Sequence, residues 1–197
     1  FPRDWADFCC WPGLFRQAGD ESECERVASE WLAVASAKRP QDAWTHGEAL
    51  CARAWLDDID TLRADWLQWL GASVKAEEWR TVNQIGRALR SSLTKARRCD
   101  DLTQLCKATF GFLDALPGER AQELRQTWEW WQYSCSCYFQ AGDFAGVERV
   151  GREAIEAGYE TEGWWLTDIA VARGEPTPPE TMAELGKGNP DEGGLWY

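Results

Sequence analysis

The sequence predicts an all-α protein built of antiparallel helical hairpins, and three observations carry that expectation. β-branched residues are sparse and alternating apolar patterns are scarce, whereas Ala, Leu, Glu, Arg and Trp recur at three- and four-residue spacing. The joints between these stretches are short and carry Gly, Pro and Asp, which places successive helices antiparallel. A break followed by an amphipathic helix also recurs along the chain, each time after an aromatic-rich stretch. With 197 residues, 44% of them hydrophobic, the chain is long enough to bury a sizeable core.

In chain order the pattern predicts helices over 4–17, 21–37, 42–56, 58–72, 76–97, 100–115, 119–141, 143–158 and 161–173. The first ends at Gly19, and Asp20 caps the second, which stops before Pro40. The third and fourth meet at Asp57-Asp58, where acidic residues favour a helix start. The fifth is the clearest: Trp79, Val82, Ile85, Leu89, Leu93 and Ala96 share one face, with Arg and Asn between them. Pro117-Gly118 separates the sixth from the seventh, and Gly142-Asp143 separates the seventh from the eighth. The eighth carries Phe144, Val147, Val150, Ala154 and Ile155 on one side and ends at Gly158. Beyond the ninth, GEPTPPE, GKGNP and DEGG mark residues 174–197 as a Gly/Pro-rich C-terminal tail, so the helical-hairpin array is expected over 1–173.

The repeat is visible without gaps. QAGDESECERVASEWL from Gln17 overlies QAGDFAGVERVGREAI from Gln140 with eight identities in sixteen positions. A third copy lies between them, AEEWRTVNQIGR overlying AGDFAGVERVGR, which pairs Trp79 with Phe144 and Gly86-Arg87 with Gly151-Arg152. In the last copy Trp131, Ser134-Cys135 and Tyr138 precede Gly142, Phe144 and Val147. The middle copy has Trp66, Trp69-Leu70 and Ser73 in the corresponding places, and the first has Phe8, Trp11-Pro12 and Phe15. This unit resembles the tetratricopeptide repeat family, whose first helix carries Trp, then Leu-Gly, then Tyr at these intervals. Tyr159 stands where that family has its helix-ending proline. The resemblance implies hairpins stacked as a short α-solenoid, a concave face made by the first helices, and binding of peptides or proteins without catalysis.

Composition narrows the functional classes. A net charge of −12 argues against a nucleic-acid backbone as partner, and no apolar run approaches the roughly 20 residues needed to span a bilayer. No membrane partner is therefore expected, and the expected location is cytoplasmic. Cys24, Cys106, Cys135 and Cys137 fall within helical periodicity and no CxxC pair occurs, so reduced, structural cysteines are expected, with no metal and no cofactor. His46 is the single histidine and has no nucleophile beside it in sequence, so no catalytic residues and no enzymatic activity are expected. Asp57, Asp58, Asp60 and Asp65 read as helix-start acids rather than ligands.

Two residue sets remain as candidate partner-binding positions. Residues 75–110 carry a net charge of +4 inside an otherwise acidic chain, and Arg80, Arg87, Arg90 and Arg97 form a stripe at helical spacing. That stripe either pairs with the acidic helices beside it or receives a carboxylate-rich or phosphate-bearing segment of a partner. The chain holds 14 tryptophans, most of them expected in the core, with Trp130, Trp164, Trp165 and Trp196 as exposed anchors. The leading expectation is a non-enzymatic adaptor or scaffold module that binds a protein or peptide through its concave face. The alternatives are a stand-alone acidic inhibitor of immunity type acting on a basic toxin or nuclease, and a helical protein that binds a small molecule or cofactor.

Overall fold

In the computed structural model, residues 11–37, 43–159 and 174 are described, and among them every regular element is a helix. The helices are α1 (Trp11–Gln17), α2 (Glu21–Ala37), α3 (Ala43–Arg53), α4 (Ile59–Lys75), α5 (Trp79–Lys95), α6 (Cys99–Asp114), α7 (Glu119–Gln126), α8 (Trp130–Gln140) and α9 (Phe144–Glu156). The all-α expectation holds. The helix expected over 161–173, the tail from 175 onward, and Trp164, Trp165 and Trp196 lie outside the described residues. No described helix is long and apolar enough to cross a membrane.

The chain divides into two compact units, with the boundary between Cys137 and Tyr138. In the first, α1 packs on α2, α2 on α3, and α3 on both α4 and α5; α4 meets α5 and α6, and α6 meets α5 and α7. In the second, Tyr138 is buried against α9, and a Cβ on Gly146 would lie 2.4 Å from its ring. Only glycine allows that approach. Arg149 donates to the Tyr138 hydroxyl at 2.8 Å, and Phe139 meets Phe144 edge to face at 5.7 Å.

One joint geometry closes five of the helices. At the ends of α1, α4, α5, α8 and α9 the residue at the turn takes a left-handed conformation: Gly19, Glu77, Arg97, Gly142 and Gly158. The next N–H then reaches back five residues, from Asp20 to Phe15, Glu78 to Ser73, Arg98 to Leu93, Asp143 to Tyr138 and Tyr159 to Ala154, at 2.9–3.0 Å. This is the Schellman arrangement, which satisfies carbonyls that the helix leaves open. Asp20 and Asp143 then cap the following helices, accepting from the N–H of Glu23 at 3.0 Å and of Gly146 at 2.9 Å. The repeated Gly-Asp thus encodes a stop and a start. At Glu77-Glu78 and Arg97-Arg98 the same turn forms without glycine, and neither Glu78 nor Arg98 makes a side-chain cap.

The single helix expected over 119–141 is two helices, because the chain breaks at Thr127–Glu129 and turns Trp128 into the core. Trp128 is fully buried. Its ring lies 5.6 Å from that of Trp66, which in turn stacks on Trp69 at 5.1 Å. Both indoles of that pair are satisfied: Trp66 donates to Thr109 Oγ1 at 2.8 Å and Trp69 to the Ala43 carbonyl at 2.9 Å. Gly86 makes the seat, since a Cβ there would come within 2.7 Å of the Trp128 ring. Gly47 does the same one contact away, giving α3 its close approach to Ile85 of α5.

Two expected outcomes follow from these contacts. Glu77→Gly and Arg97→Gly each remove a left-handed non-glycine residue, so thermal unfolding is expected to show a gain of about 1 kcal/mol apiece. Gly86→Ala overpacks the Trp128 seat and is expected to lose about 1–3 kcal/mol in the same measurement.

Candidate functional site

The stripe of arginines that the sequence places on one helix is sorted by the fold into three environments. Arg80 and Arg87 lie exposed on α5, and Gln84 and Ser91 complete the same solvent-facing strip. Arg97 is not on that helix, which ends at Lys95; it occupies the left-handed turn before α6. Arg90 is 3% exposed and faces the opposite way, into the core. The continuous four-arginine stripe is therefore corrected to a two-arginine ridge with a third cation at its lower end.

Arg90 is held by aromatic faces rather than by an acid. Its guanidinium carbon lies 4.1 Å from the ring centre of Trp128 and 4.1 Å from that of Tyr133, and Nη2 donates to the Tyr133 hydroxyl at 3.4 Å. Nε and Nη1 have no hydrogen-bond partner among the described residues. Burial lowers its affinity for the proton from the ordinary arginine value, and the Arg87 charge acts in the same sense against Tyr133 and Cys106. Two ring faces offset part of the desolvation of this cation. Arg90 is thus a structural element that ties α5 to the start of α8.

Among the described residues the exposed ridge is unpaired, as is Arg152 of α9, whereas other arginines are held by acids. Arg26 pairs with Glu23 and Glu30, Arg63 with Asp60, Arg98 with Asp101 and Arg120 with Glu123. Arg53 engages Asp57 and Asp65 together. Among the described residues the side chains of Arg80, Arg87 and Arg97 make no ion pair, and along α5 the positions three and four residues from Arg87 hold Asn83, Gln84, Arg90 and Ser91. Pairing with neighbouring acidic helices, one of the two expectations for the stripe, does not occur there.

The acidic run of the sequence is consumed by structure. Asp58 caps α4, accepting from the Thr61 N–H at 2.9 Å and its hydroxyl at 2.7 Å, and those bonds hold its carboxyl below the usual range. Asp57 and Asp65 hold Arg53, and Asp60 holds Arg63. Among the described residues no group of three or more His, Cys, Asp or Glu is arranged to hold a metal ion. His46 is exposed at the edge of a groove of about 330 Å³ between α2 and α3, lined chiefly by Leu32, Ala35, Ala49 and Leu50 with Ser36 and Arg53 at its rim.

Trp130, expected as an exposed anchor, is 4% exposed beneath Lys107, whose Nζ lies 4.5 Å from the ring centre. The break at Thr127–Glu129 resets the helical phase, so residues 128 and 130 both turn inward while Trp131 is half-buried against Phe110. Trp11 of α1, 42% exposed, is the most open of the described tryptophans and was not among the candidates. No periodic signal marks it, because Pro12 and Gly13 beside it are the buried residues of that helix.

Replacing Arg90 tests its role in packing. Arg90→Met keeps the stem between the rings and removes an unpaired buried charge, so stability by urea unfolding is expected to change by less than about 1 kcal/mol. Arg90→Ala empties the space between Trp128 and Tyr133 and is expected to lose about 3 kcal/mol. In comparison with known proteins, no family model matches this chain, and no curated protein and no solved structure is significantly similar to it.

Proposed function

We propose that this chain is a non-enzymatic interaction module, a divergent helical-hairpin array of tetratricopeptide type, whose α5 ridge receives an acidic segment of a protein partner. The observation that carries the reading is the pair Arg80 and Arg87: both exposed on one helix face and both without an ion pair among the described residues, in a chain whose net charge is −12. Several other exposed or half-buried arginines of this acidic chain are held by carboxylates, as Arg26, Arg53, Arg63, Arg98 and Arg120 are. Two guanidinium groups left open two turns apart form a bidentate-capable surface for carboxylates or phosphates. Gln84 and Ser91 add neutral hydrogen-bonding groups along the same strip.

The net charge favours a second reading, a stand-alone inhibitor of a basic enzyme. There the acidic surface makes the contact and the α5 ridge is left outside it.

One experiment separates the two. The chain and its Arg80→Glu/Arg87→Glu variant are used to capture partners from the source cell, and the affinity of the recovered partner for each is then measured. The proposal expects an acidic partner segment and about a tenfold or greater loss of affinity in the variant, with helicity and unfolding temperature unchanged. A basic partner held equally or more tightly by the variant establishes the inhibitor reading instead. A tightly held small molecule with no stoichiometric protein partner overturns both.

A further inference from the structure

The groove between α2 and α3 carries two polar groups that the packing leaves unmet. Leu32 and Ala35 of α2 and Ala49 and Leu50 of α3 give it an apolar lining, and its volume is about 330 Å³. Thr45 in the first turn of α3 also lines it, at 7% exposed, and its hydroxyl makes no hydrogen bond among the described residues. Buried hydroxyls are ordinarily bonded, so Thr45 is short of a partner that an occupant of the groove can bring. Arg53 in the last turn of α3 is the other group. Its Nε is held by Asp57 and its Nη1 by Asp65, which leaves Nη2 uncommitted among the described residues. Thr45, Ala49 and Arg53 recur at four-residue spacing, so they follow one another along a single face of α3.

We propose that this groove is a docking site for a short extended segment of a protein partner, seated by one apolar side chain and by the backbone carbonyls on either side of it. The helical rise from Thr45 to Arg53 is about 12 Å. An extended chain covers that span in roughly four residues and brings a carbonyl to the donor at each end, whereas a small molecule with a single polar head meets only one. The space suits one large side chain over Ala49 between those carbonyls, because about 330 Å³ lies at the lower end of the roughly 300–1,000 Å³ of small-ligand pockets. The segment is uncharged where it lies in the groove. Arg53 is the only Lys, Arg, Asp or Glu among the described lining residues, and it is closed on two aspartates. A carboxylate therefore finds no surplus positive charge there, and an ammonium meets a guanidinium. Carbonyl oxygens accept from the Thr45 hydroxyl and from Arg53 Nη2 without adding charge. The site rests on the reading of the chain as an interaction module and is independent of the α5 ridge.

His46, beside Thr45 at the groove edge, is the one histidine of the chain, so its ring protons are a single NMR reporter of occupancy. The full chain is titrated with the blocked tripeptide acetyl-Ala-Leu-Ala-amide, and a saturable shift of those protons is expected. Serine in place of the central leucine is expected to weaken binding about tenfold or more, and Thr45→Val about three- to tenfold. Ala49→Leu, which fills the groove, is expected to abolish the shift with helicity by circular dichroism unchanged. Arg80→Glu/Arg87→Glu is expected to bind the tripeptide as the parent chain does, so failure of the ridge and failure of the groove are read separately. A parent chain whose His46 signals do not move, or move without saturating, overturns the proposal, and that result needs no variant to fold. Equal affinities for the leucine and serine tripeptides overturn it as well, as does a purified chain whose groove keeps a small molecule that the tripeptide does not displace.

Discussion

The packing of the first unit turns on one side chain, Trp128, and on the glycine that lets it in. Its indole is fully buried against Trp66 of α4, against the bare backbone of α5 at Gly86, and under the guanidinium of Arg90. An indole buries on the order of 150–250 Å², more than most core side chains, so a site that accepts one dictates the placement of everything around it. To deliver that ring the chain breaks between α7 and α8, and the break in turn sets the phase of α8. Trp130 goes inward beneath Lys107, Trp131 meets Phe110, and Tyr133 closes the far side of Arg90. The abundance of tryptophan in this region is thus largely a matter of packing, with cations covering ring faces where no apolar partner reaches.

Electrostatics in the chain follow the same division between what is satisfied internally and what is left open. Arg26, Arg63, Arg98 and Arg120 close on acids within a turn of themselves, and Arg53 spans from α3 to α4 by holding two aspartates at once. Others serve backbone groups: Arg16 donates to the Ala96 carbonyl at the end of α5, and Arg98 to Ala54 beyond the end of α3. Surface ion pairs of this kind add little stability individually. Among the described residues the exposed Arg80 and Arg87 of α5 make no such pair. Arg90 is the opposite case, a cation whose charge is sequestered by aromatic rings and is unavailable to any ligand on the surface.

The repeats acquire physical content at their joints. The Gly-Asp of the first and last copies supplies a left-handed residue and a cap in consecutive positions. At Glu77 and Arg97 the same backbone path is followed by residues that favour it less, so the packing of α4, α5 and α6 imposes the turn there. That is why the middle copy is faint in sequence and the joint expected after residue 97 carries no glycine, although all share the same hydrogen bonds. A turn enforced by tertiary contacts leaves no glycine to be read.

By itself the sequence determined whatever rests on local periodicity and local chemistry. The all-α class, the amphipathic face of α5 from Val82 to Leu93, the caps at Asp20, Asp58 and Asp143, and the burial of most of the described cysteines and tryptophans are of this kind. Tertiary structure alone decided what depends on residues distant in the chain. It broke the helix expected over 119–141 and divided one arginine stripe into exposed, buried and turn positions. The reason is the same in each case: a helix face is set by spacing of three and four residues, but which face meets solvent is set by the ring or backbone that arrives from elsewhere. Arg87 and Arg90 are three residues apart on one helix, and the arrival of Trp128 and Tyr133 buries one of them while the other stays exposed to solvent.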